Sequence, residues 1–397
     1  MTRPLHPFPA RMAPDLAIRE VGWLEAGCTV LDPMAGSGTV VREAIERGHR
    51  ALGFDLDPLA VLMAGVWTTP VNDGVIEEVA SAVLQRARRA KGVALPWMDG
   101  DAETSSFVDY WFAPGQKAAL RKLAWALSDR AQRKSAARDK VLDVLRLSLS
   151  RIIVTKDVGA SLGRDVSHSR PHRVAEDSEY DVFEGFARSV KFVRKLLREE
   201  PPPSGARVRF GDARRLRVPP ESVDLVLTSP PYLNAIDYLR GHRLSLVWLG
   251  HTLPKLRSIR AEAIGTERGH EKPTLPPHVE TVRNAMTSVR RLASRQARMV
   301  ERYTVDLLKL MAEIRRTLRS GGRAVLVVGN SCLRGAFIRN SAGVAMAGSH
   351  AGLRLEREVV RTLPESKRYL PLKKTGNQAL GKRMRTESVL TFSRAND

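Results

Sequence analysis

The sequence predicts an α/β fold, a doubly wound and mainly parallel sheet that is interrupted by a largely helical insertion. The first observation behind this prediction is a β-α-β pattern over residues 29–60. The second is a set of three apolar runs typical of strands, at 206–212, 223–229 and 322–330. The third is the apolar spacing between 75 and 200, which has the period of helices. Strands that alternate with helices in this way form parallel sheets with helices on both faces.

The strongest local pattern is the first β-α-β unit. It reads as a strand, TVLDP at 29–33, followed by a glycine-rich turn, MAGSG at 34–38. A helix, TVVREAIERG at 39–48, and a second strand, RALGFDLD at 50–57, complete the unit. The turn lies at the carboxyl end of the first strand, where doubly wound sheets bind their ligands.

The rest of the chain alternates between helical and strand patterns. Helical spacing continues in 117–127 and 141–154, and the Gly-, Ser- and Arg-rich stretch 155–174 is typical of an exposed loop. The polar region 254–318 is predicted to be mostly helical, and a last strand is predicted at 388–393. One sheet with helical interruptions accounts for this order.

The charge of the chain favours a polyanionic partner. Of its 397 residues, 65 are Lys or Arg and 43 are Asp or Glu, which gives a formal charge of +22 and a pI near 10.6. The basic residues occur in many short clusters, a pattern that suits a long groove facing a phosphate backbone. Solvated helix faces are the alternative for any single cluster. The two cysteines, the absence of an apolar leader and the absence of a long apolar run predict a cytoplasmic, nucleoid-associated protein with no membrane contact.

The glycine-rich turn is a candidate cofactor site. Gly36 and Gly38 are expected to let the backbone approach a ligand closely, and Asp55 ends the next strand, where an acid binds ribose hydroxyls in nucleotide-binding sheets. A dinucleotide remains possible, although Val41 occupies the third position of G-x-G-x-x-G, and no Gly-Lys-Ser/Thr follows to form a phosphate-binding loop. S-adenosylmethionine, an adenosine cofactor without phosphates, fits better. A tight turn without a ligand is the alternative.

A second motif joins a strand to two prolines. The run 223-VDLVLTSPPY-232 loses two backbone donors at Pro230 and Pro231, so Tyr232 lies on a rigid turn. TSPPY resembles motif IV of the methyltransferases that modify exocyclic amines of DNA bases, and DPMAGSGT resembles their motif I. HPFPARM at 6–12 is similar to the segment before motif I, GFDLDP resembles motif II, and GDARRL at 211–216 resembles motif III.

This resemblance implies the class I methyltransferase fold and S-adenosylmethionine as the cofactor. It implies a catalytic domain in two parts, 1–74 and 206–397, around a helical insertion, 75–205, that is the candidate target-recognition region. The implied cofactor-binding residues are Phe8, Asp32, Pro33, Ala35, Gly36, Ser37, Gly38, Thr39, Asp55, Leu56, Asp212 and Ala213, with Asp212 near the adenine. The implied catalytic residues are Ser229, Pro230, Pro231 and Tyr232.

The chemistry of an exocyclic amine explains these catalytic residue types. The amine is conjugated with the base and must pyramidalise before its lone pair can attack a sulfonium methyl group. The Ser229 side chain and the Pro230 carbonyl can accept hydrogen bonds that hold this geometry. Tyr232 can stack on a base that has left the duplex. The alternative is a tyrosine that packs into the core beside a proline-rich turn.

The target base is inferred from the first residue of the motif. Ser-Pro-Pro-Tyr occurs mostly in cytosine-N4 enzymes of the family, whereas an aspartate in place of Ser229 is usual for adenine N6. The sequence therefore favours cytosine N4. Motif I precedes motif IV in this chain, unlike many Ser-Pro-Pro-Tyr enzymes, and this permutation leaves the place of target recognition open.

Several basic and polar residues are candidates for contacts with nucleic acid. The loop in the insertion carries four of them, and a solvated basic loop is the alternative. His242 could serve DNA binding or lie on a helix surface, and 110-YWF-112 is expected to form core. The nine histidines show no metal-ligand spacing. The predicted nucleic-acid-binding residues are Arg164, Arg170, His172, Arg173, Asn234 and Arg243.

Three functions follow from these motifs. The first is a site-specific cytosine-N4 methyltransferase of double-stranded DNA, either solitary or paired with a cognate restriction endonuclease. The second is an adenine-N6 or RNA amino-methyltransferase with the same pocket, and the third is a nucleic-acid-binding protein without activity. A small-molecule methyltransferase fits poorly with a charge of +22.

Overall fold

The computed structural model describes residues 5–6, 14–128, 136–155, 158–164, 171–233, 237–266, 277–287, 292–333, 335–362 and 386–395. The strands are β1 Thr29–Asp32, β2 Arg50–Asp55, β3 Gly163–Arg164, β4 His172–Arg173, β5 Ala206–Phe210, β6 Val223–Thr228, β7 Leu318–Gly329, β8 Ser331–Leu333, β9 Ala336–Ile338, β10 Leu353–Thr362 and β11 Thr386–Arg394. The helices are α1 Pro14–Gly22, α2 Thr39–Glu46, α3 Pro58–Thr68, α4 Asp73–Arg89, α5 Pro96–Asp99, α6 Ala102–Trp111, α7 Pro114–Ser128, α8 Ala136–Arg151, α9 Val182–Glu199, α10 Leu239–Leu246, α11 Leu253–Glu262, α12 Val279–Met286, α13 Ser294–Thr317 and α14 Asn340–His350.

A seven-stranded sheet in the order β10-β11-β7-β6-β1-β2-β5 forms the centre of the molecule. β11 runs antiparallel to both of its neighbours, and the strands from β7 to β5 are all parallel. Along the chain, β1, β2 and β5 are placed one after another toward one edge of the sheet, and β6, β7 and the later strands are placed toward the other edge. The strand order therefore reverses between β1 and β6. The protein therefore has the predicted α/β fold, the Rossmann-like sheet of class I methyltransferases. The carboxyl ends of β1 and β6 form the crevice where such sheets bind ligands.

The insertion between β2 and β5 is helical, as the apolar spacing predicts. Its helices α4 to α9 share one apolar core with α3, α10 and α11, so the helical region packs against these three helices. A second core lies between the sheet and α12, α13 and α14, and a third packs α1 and α2 on the other face. The three-part division at 74 and 205 stays a prediction.

Edge strand β10 and helix α14 are elements that the sequence patterns did not predict. In β10 only Leu353 is buried, and charged residues and exposed apolar ones follow each other without regular alternation along Leu353–Thr362. An edge strand with so little burial lacks the period-2 pattern that marks a half-buried strand. Within the stretch predicted as a loop, 155–174, the described residues include the hairpin β3–β4. None of the helices in the described ranges is long and apolar enough to cross a membrane.

Candidate active site at the carboxyl edge of the sheet

A buried hydrogen bond joins the two predicted motifs. Thr228, at the end of β6, donates its hydroxyl to Asp32 Oδ1 at the end of β1, with an oxygen–oxygen distance of 2.7 Å. The same carboxyl oxygen accepts the backbone N–H of Met34 at 3.1 Å. Burial raises the pKa of Asp32 to about 7, although the hydrogen bond from Thr228 acts in the opposite direction. The turns that follow β1 and β6 therefore start side by side.

The glycine-rich turn between β1 and α2 is fixed by bonds to β2. Ala35 donates its backbone N–H to the carbonyl of Phe54 at 2.8 Å, and Gly36 donates its own to Asp55 Oδ2 at 2.8 Å. Gly36 and Gly38 have φ values of 51° and 87°, in the left-handed region that favours glycine. We call residues 33–38 together with Asp32 and Asp55 the glycine cradle.

The packing of α3 gives a reason for Gly38 that the sequence did not predict. A Cβ atom at this position would lie 2.9 Å from both Cα and Cβ of Ala64 in α3. The backbone of α3 therefore closes the Cβ position of Gly38. The expectation that Gly36 and Gly38 let a ligand approach the backbone closely stays a prediction.

Val41 in α2 occupies the third position of the G-x-G-x-x-G pattern, where a small residue normally allows close packing of helix and strand. Gly53 in β2 provides the space for the Val41 side chain, because a Cβ atom on Gly53 would lie only 3.0 Å from Val41 Cγ2. In this chain the small residue is therefore on the facing strand and not in the helix. It lets α2 pack on the sheet with Val41 fully buried.

Asp55 and Asp57 connect the cradle to the segment after the proline-rich turn. The two carboxyl oxygens of Asp55 accept backbone N–H groups, from Gly36 at 2.8 Å and from Asp57 at 2.9 Å. Burial raises the pKa of Asp55 to about 6, and the nearby charge of Asp57 contributes. One carboxyl oxygen of Asp57 caps α3 by accepting the backbone N–H of Leu59. The other pairs with Nδ1 of His242 in α10. His242 is buried against this carboxylate, so the interpretation of its side chain as a DNA contact or a helix-surface residue was wrong.

Asp212, which the resemblance places near an adenine, is held by Arg214. The guanidinium of Arg214 contacts both carboxyl oxygens of Asp212, at distances from 2.8 to 3.2 Å, and also pairs with Asp306 in α13. Burial lowers the pKa of Arg214, but its bonds to these two carboxylates raise it more. Asp212 is therefore fixed in place at the carboxyl end of β5, with part of its surface exposed.

The Ser-Pro-Pro-Tyr turn is supported from β7 and α13. Ser229 donates its hydroxyl to the Val327 carbonyl at 3.0 Å, which leaves lone pairs of the serine oxygen able to accept a hydrogen bond. Tyr303, fully buried in α13, donates its hydroxyl to the Pro231 carbonyl at 3.1 Å. Pro230 is buried and Pro231 is exposed. The two prolines and Tyr303 together hold the turn in one conformation.

Tyr232 lies against the end of β7. A Cβ atom on Gly329 would meet the Tyr232 ring at 2.5 Å, so only glycine leaves room for the ring there. Burial raises the pKa of Tyr232 to about 12 and the charge of Glu387 adds to this, while hydrogen bonds with Ser229 and Gly329 oppose it. The stacking of this ring on a base stays a prediction.

The structure thus brings most of the predicted cofactor and catalytic residues to one edge of the sheet, because the carboxyl ends of parallel strands lie together. The residues at this edge are Asp32, Pro33, Ala35, Gly36, Ser37, Gly38, Thr39, Asp55, Leu56, Asp212, Ala213, Ser229, Pro230, Pro231 and Tyr232. Phe8, Arg170 and Asn234 lie outside the described residues. In the described part of the chain, no cluster of three or more histidine, cysteine or acidic side chains could hold a metal ion.

Three of the predicted nucleic-acid contacts of the insertion, Arg164, His172 and Arg173, lie on the paired strands β3 and β4. Arg164 turns back on its own loop, donating to the carbonyls of Ser161 and Gly163 at 2.9 Å each. Arg173 is exposed and lies over the ring of Tyr110, with its guanidinium carbon 5.1 Å from the ring centre. His172 is also exposed.

The 110–112 cluster is only partly core, as the neighbours of this hairpin show. Trp111 and Phe112 are buried, and Leu162 donates its backbone N–H to the Trp111 carbonyl at 2.8 Å. Tyr110 is 52% exposed, so the prediction that it forms core was wrong. The guanidinium of Arg173 lies over this exposed ring.

No protein-family model matches the chain. A curated relative, the Type II methyltransferase M.MvaI of Kocuria varians, is 21% identical over 281 residues, which are 63% of this chain and 58% of that protein. The chain therefore spans a little over half the length of the curated relative it matches.

Solved structures similar to the chain at low identity include several methyltransferases. A TehB-like S-adenosylmethionine-dependent methyltransferase from Corynebacterium glutamicum is 12% identical with a TM-score of 0.31, covering 97% of this chain and 89% of that one. Geranyl diphosphate C-methyltransferase from Streptomyces coelicolor is 9% identical with a TM-score of 0.36, covering 96% and 76%. A candidate DNA modification methylase from Thermus thermophilus is 17% identical with a TM-score of 0.24, covering 47% and 51%. Because these superpositions are weak, the fold is assigned from the strand order of the chain itself.

Proposed function

We propose that this protein is an S-adenosylmethionine-dependent methyltransferase that modifies the exocyclic N4 amine of cytosine in double-stranded DNA, after the base has left the helix. The observation that carries the proposal is the hydrogen bond between Thr228 and Asp32. It ties a cofactor-type glycine turn to an amine-binding Ser-Pro-Pro-Tyr turn across neighbouring parallel strands. A methyl donor held by the first turn and an acceptor held by the second would meet at this crevice.

The cradle fits the cofactor on the chemistry of its donor and acceptor groups. Within the described ranges neither Asp32 nor Asp55 forms an ion pair, so two acidic side chains stand at the crevice without a cation. Carboxylates of this kind bind ribose hydroxyls and attract an ammonium or sulfonium group. When bound, S-adenosylmethionine supplies an electrophilic methyl group on a positively charged sulfur.

The acceptor side of the crevice orients the amine. Ser229 donates its proton to the Val327 carbonyl and also hydrogen-bonds with Tyr232. Because a hydroxyl oxygen has two lone pairs, at least one remains to accept a hydrogen bond from a substrate N–H. The Pro230 carbonyl is the second acceptor, and the bond from Tyr303 to Pro231 keeps the turn rigid. When both N–H groups of the amine donate hydrogen bonds to these acceptors, the nitrogen is held in a pyramidal geometry. Its lone pair is then no longer conjugated with the ring and can attack the methyl group. The product then loses a proton to water, since serine is a poor base.

DNA is proposed as the substrate on two grounds. The formal charge of +22 favours a polyanion over a small neutral molecule. The curated relative is named a Type II methyltransferase, a description that fits a partner of a restriction endonuclease. A cognate endonuclease is accordingly proposed as a partner of the same system.

The experiment that tests the function is a product analysis. Purified protein is incubated with labelled S-adenosylmethionine and either DNA of mixed sequence or an RNA control, and the nucleosides are separated by mass spectrometry. N4-methylcytosine in the DNA is the expected result, and it should disappear in the Ser229→Ala variant. N6-methyladenine would overturn the choice of base, and label in RNA alone would overturn the choice of nucleic acid. No label in either would favour a binding protein without activity.

A further inference from the structure

The hairpin of α10 and α11 encloses a pocket lined by arginines. Arg240 and Arg243 stand three residues apart in α10, and Arg257 and Arg260 stand three apart in α11. Residues with this spacing share one face of a helix, and the two faces meet around a cavity of about 290 Å³. We call these four side chains and the cavity between them the arginine pocket. Glu103 and Thr266 also line it.

Three of the four arginines have carboxylate partners. Arg257 pairs with Glu103, and Arg260 Nε lies 2.5 Å from Asp237 Oδ2. Arg240 lies 3.7 Å from the same oxygen of Asp237 and therefore shares that partner. Two carboxylates thus face four guanidinium groups, so the pocket keeps an excess of positive charge.

Arg243 is the arginine whose side chain forms no ion pair among the residues that the structure describes. This side chain forms no hydrogen bond with them either, and its Nε is buried without a partner. Its guanidinium lies over the ring of Phe107, 5.0 Å from the ring centre. Burial lowers the pKa of Arg243, and the charges of Arg240 and Arg260 lower it further, while the charges of Asp237 and Glu103 only partly oppose this. A half-buried cation in this position is stabilised by an anion that reaches the pocket.

The pocket adjoins the candidate active site through the chain on both sides. Asp237, which pairs with two of its arginines, follows the Ser-Pro-Pro-Tyr turn in the segment that leads into α10. Thr266 follows Gly265, whose Cβ position lies 3.3 Å from the Tyr232 carbonyl. His242, the neighbour of Arg243, pairs with Asp57 beside the cradle. An anion in the pocket would therefore be close to a base at Tyr232.

We propose that the arginine pocket binds a backbone phosphodiester of the nucleic-acid strand that carries the target base. This inference rests on the proposed function, because it needs a nucleic-acid substrate at the Ser-Pro-Pro-Tyr turn. Guanidinium forks bind phosphate oxygens with two parallel hydrogen bonds, and the Arg243 side chain forms no hydrogen bond to the described residues that an anion would have to displace. A volume of about 290 Å³ lies at the lower end of ligand pockets, typically about 300–1,000 Å³, and suits a phosphate with part of its sugar.

The test measures how binding depends on salt. Fluorescence anisotropy of a mixed-sequence duplex of about 30 base pairs gives the slope of log K against log salt, which changes by about 0.9 for each lost phosphate contact. For Arg243→Gln the slope should become less steep by about 0.9, so between about 50 and about 200 mM salt the wild-type protein should lose about 3.5-fold more affinity than the variant. Arg243→Lys keeps the charge and should retain most of the wild-type slope.

Two further variants keep the test decisive if Arg243→Gln folds poorly. Arg257 is more than half exposed, so Arg257→Gln should fold normally and still reduce the slope. Glu103→Gln should act in the opposite direction, since it releases Arg257 for an anion and should tighten DNA binding. The matched control is Arg354→Gln on β10, which removes an exposed arginine paired with Glu356 and should leave the slope unchanged. Thermal unfolding by circular dichroism verifies that each variant is folded.

The failure of this inference differs from failure of the proposed function. If the wild-type protein methylates DNA and the pocket variants keep the wild-type slope, the pocket assignment is wrong and the function stands. If the wild-type protein binds no nucleic acid, both are wrong. If inorganic phosphate binds in an Arg243-dependent manner by calorimetry while the DNA slopes of all variants agree, the pocket holds a small anion and the phosphodiester assignment fails.

Discussion

The glycine cradle and the arginine pocket differ in the sign of the charge that the protein leaves unpaired. In the cradle, Asp32 and Asp55 accept hydrogen bonds from the backbone and from Thr228 but have no cation among the described residues. In the pocket, the Arg243 side chain forms no ion pair within the same ranges. Burial disfavours both charges, so each site gains most from a ligand of opposite sign. Under the proposed function these ligands are a cationic cofactor and an anionic strand.

Ser229→Ala should give the largest effect, because it should separate catalysis at the Ser-Pro-Pro-Tyr turn from cofactor binding at the glycine cradle. Loss of one acceptor on the amine should lower kcat by about 100- to 1,000-fold, the range seen when one preorganised hydrogen bond is lost from a transition state. Cofactor binding, measured by titration calorimetry, should stay unchanged because the cradle does not contact this side chain. The matched control is Ser222→Ala, an exposed serine that also donates to a backbone carbonyl, that of Pro219. Equal activity of Ser229→Ala and wild type would show that the turn is not the acceptor site.

The cradle was predicted almost completely from the sequence because its structure is local. The apolar run of β1, the glycines and the apolar spacing of α2 follow one another within about twenty residues, and periodicity reports such patterns directly. The supports of the acceptor side were missed because their partners are distant in the chain. Tyr303 meets Pro231 across 72 positions, and His242 meets Asp57 across 185. Gly53 was missed as the partner of Val41 for the same reason, since nothing in the strand pattern shows which residue faces it.

The unpaired carboxyl of Asp32 should make stability depend on pH in a defined window. Its pKa is raised to about 7 in the folded protein, whereas the ordinary value is about 3.9. The folded state therefore binds more protons between these values, and stability should fall as pH rises from about 4 to about 7, by an amount on the order of 3 kcal/mol. Asp32→Asn removes this titration and keeps both hydrogen bonds, because Thr228 and Met34 donate to the same oxygen.

Denaturant unfolding of wild type and Asp32→Asn at several pH values measures this effect. The difference in unfolding free energy should be small near pH 4 and should favour the asparagine variant increasingly up to about pH 7, then stay constant. A difference that does not change with pH would mean that Asp32 is ionised at all these values. The affinity for a cationic cofactor should follow the opposite course in the wild type, rising as Asp32 and Asp55 ionise, which is the behaviour that distinguishes the cradle from the arginine pocket.

The smallest effect, on the order of 2 kcal/mol, is expected for Gly38→Ala in the cradle. Two terms add at this position, the strain of an alanine at a φ of 87° and the collision of its Cβ with Ala64 at 2.9 Å. Gly48→Ala separates them, because Gly48 has a φ of 76° and no atom within 4 Å of its Cβ position. This control should lose only the strain term, about 1 kcal/mol in denaturant unfolding. If both variants lose the same stability, α3 moves aside at no cost, and the contact between Gly38 and Ala64 does not fix the cradle. If Gly38→Ala loses more, the cradle is held by a helix packed against its backbone, whereas the arginine pocket is held by ion pairs between side chains.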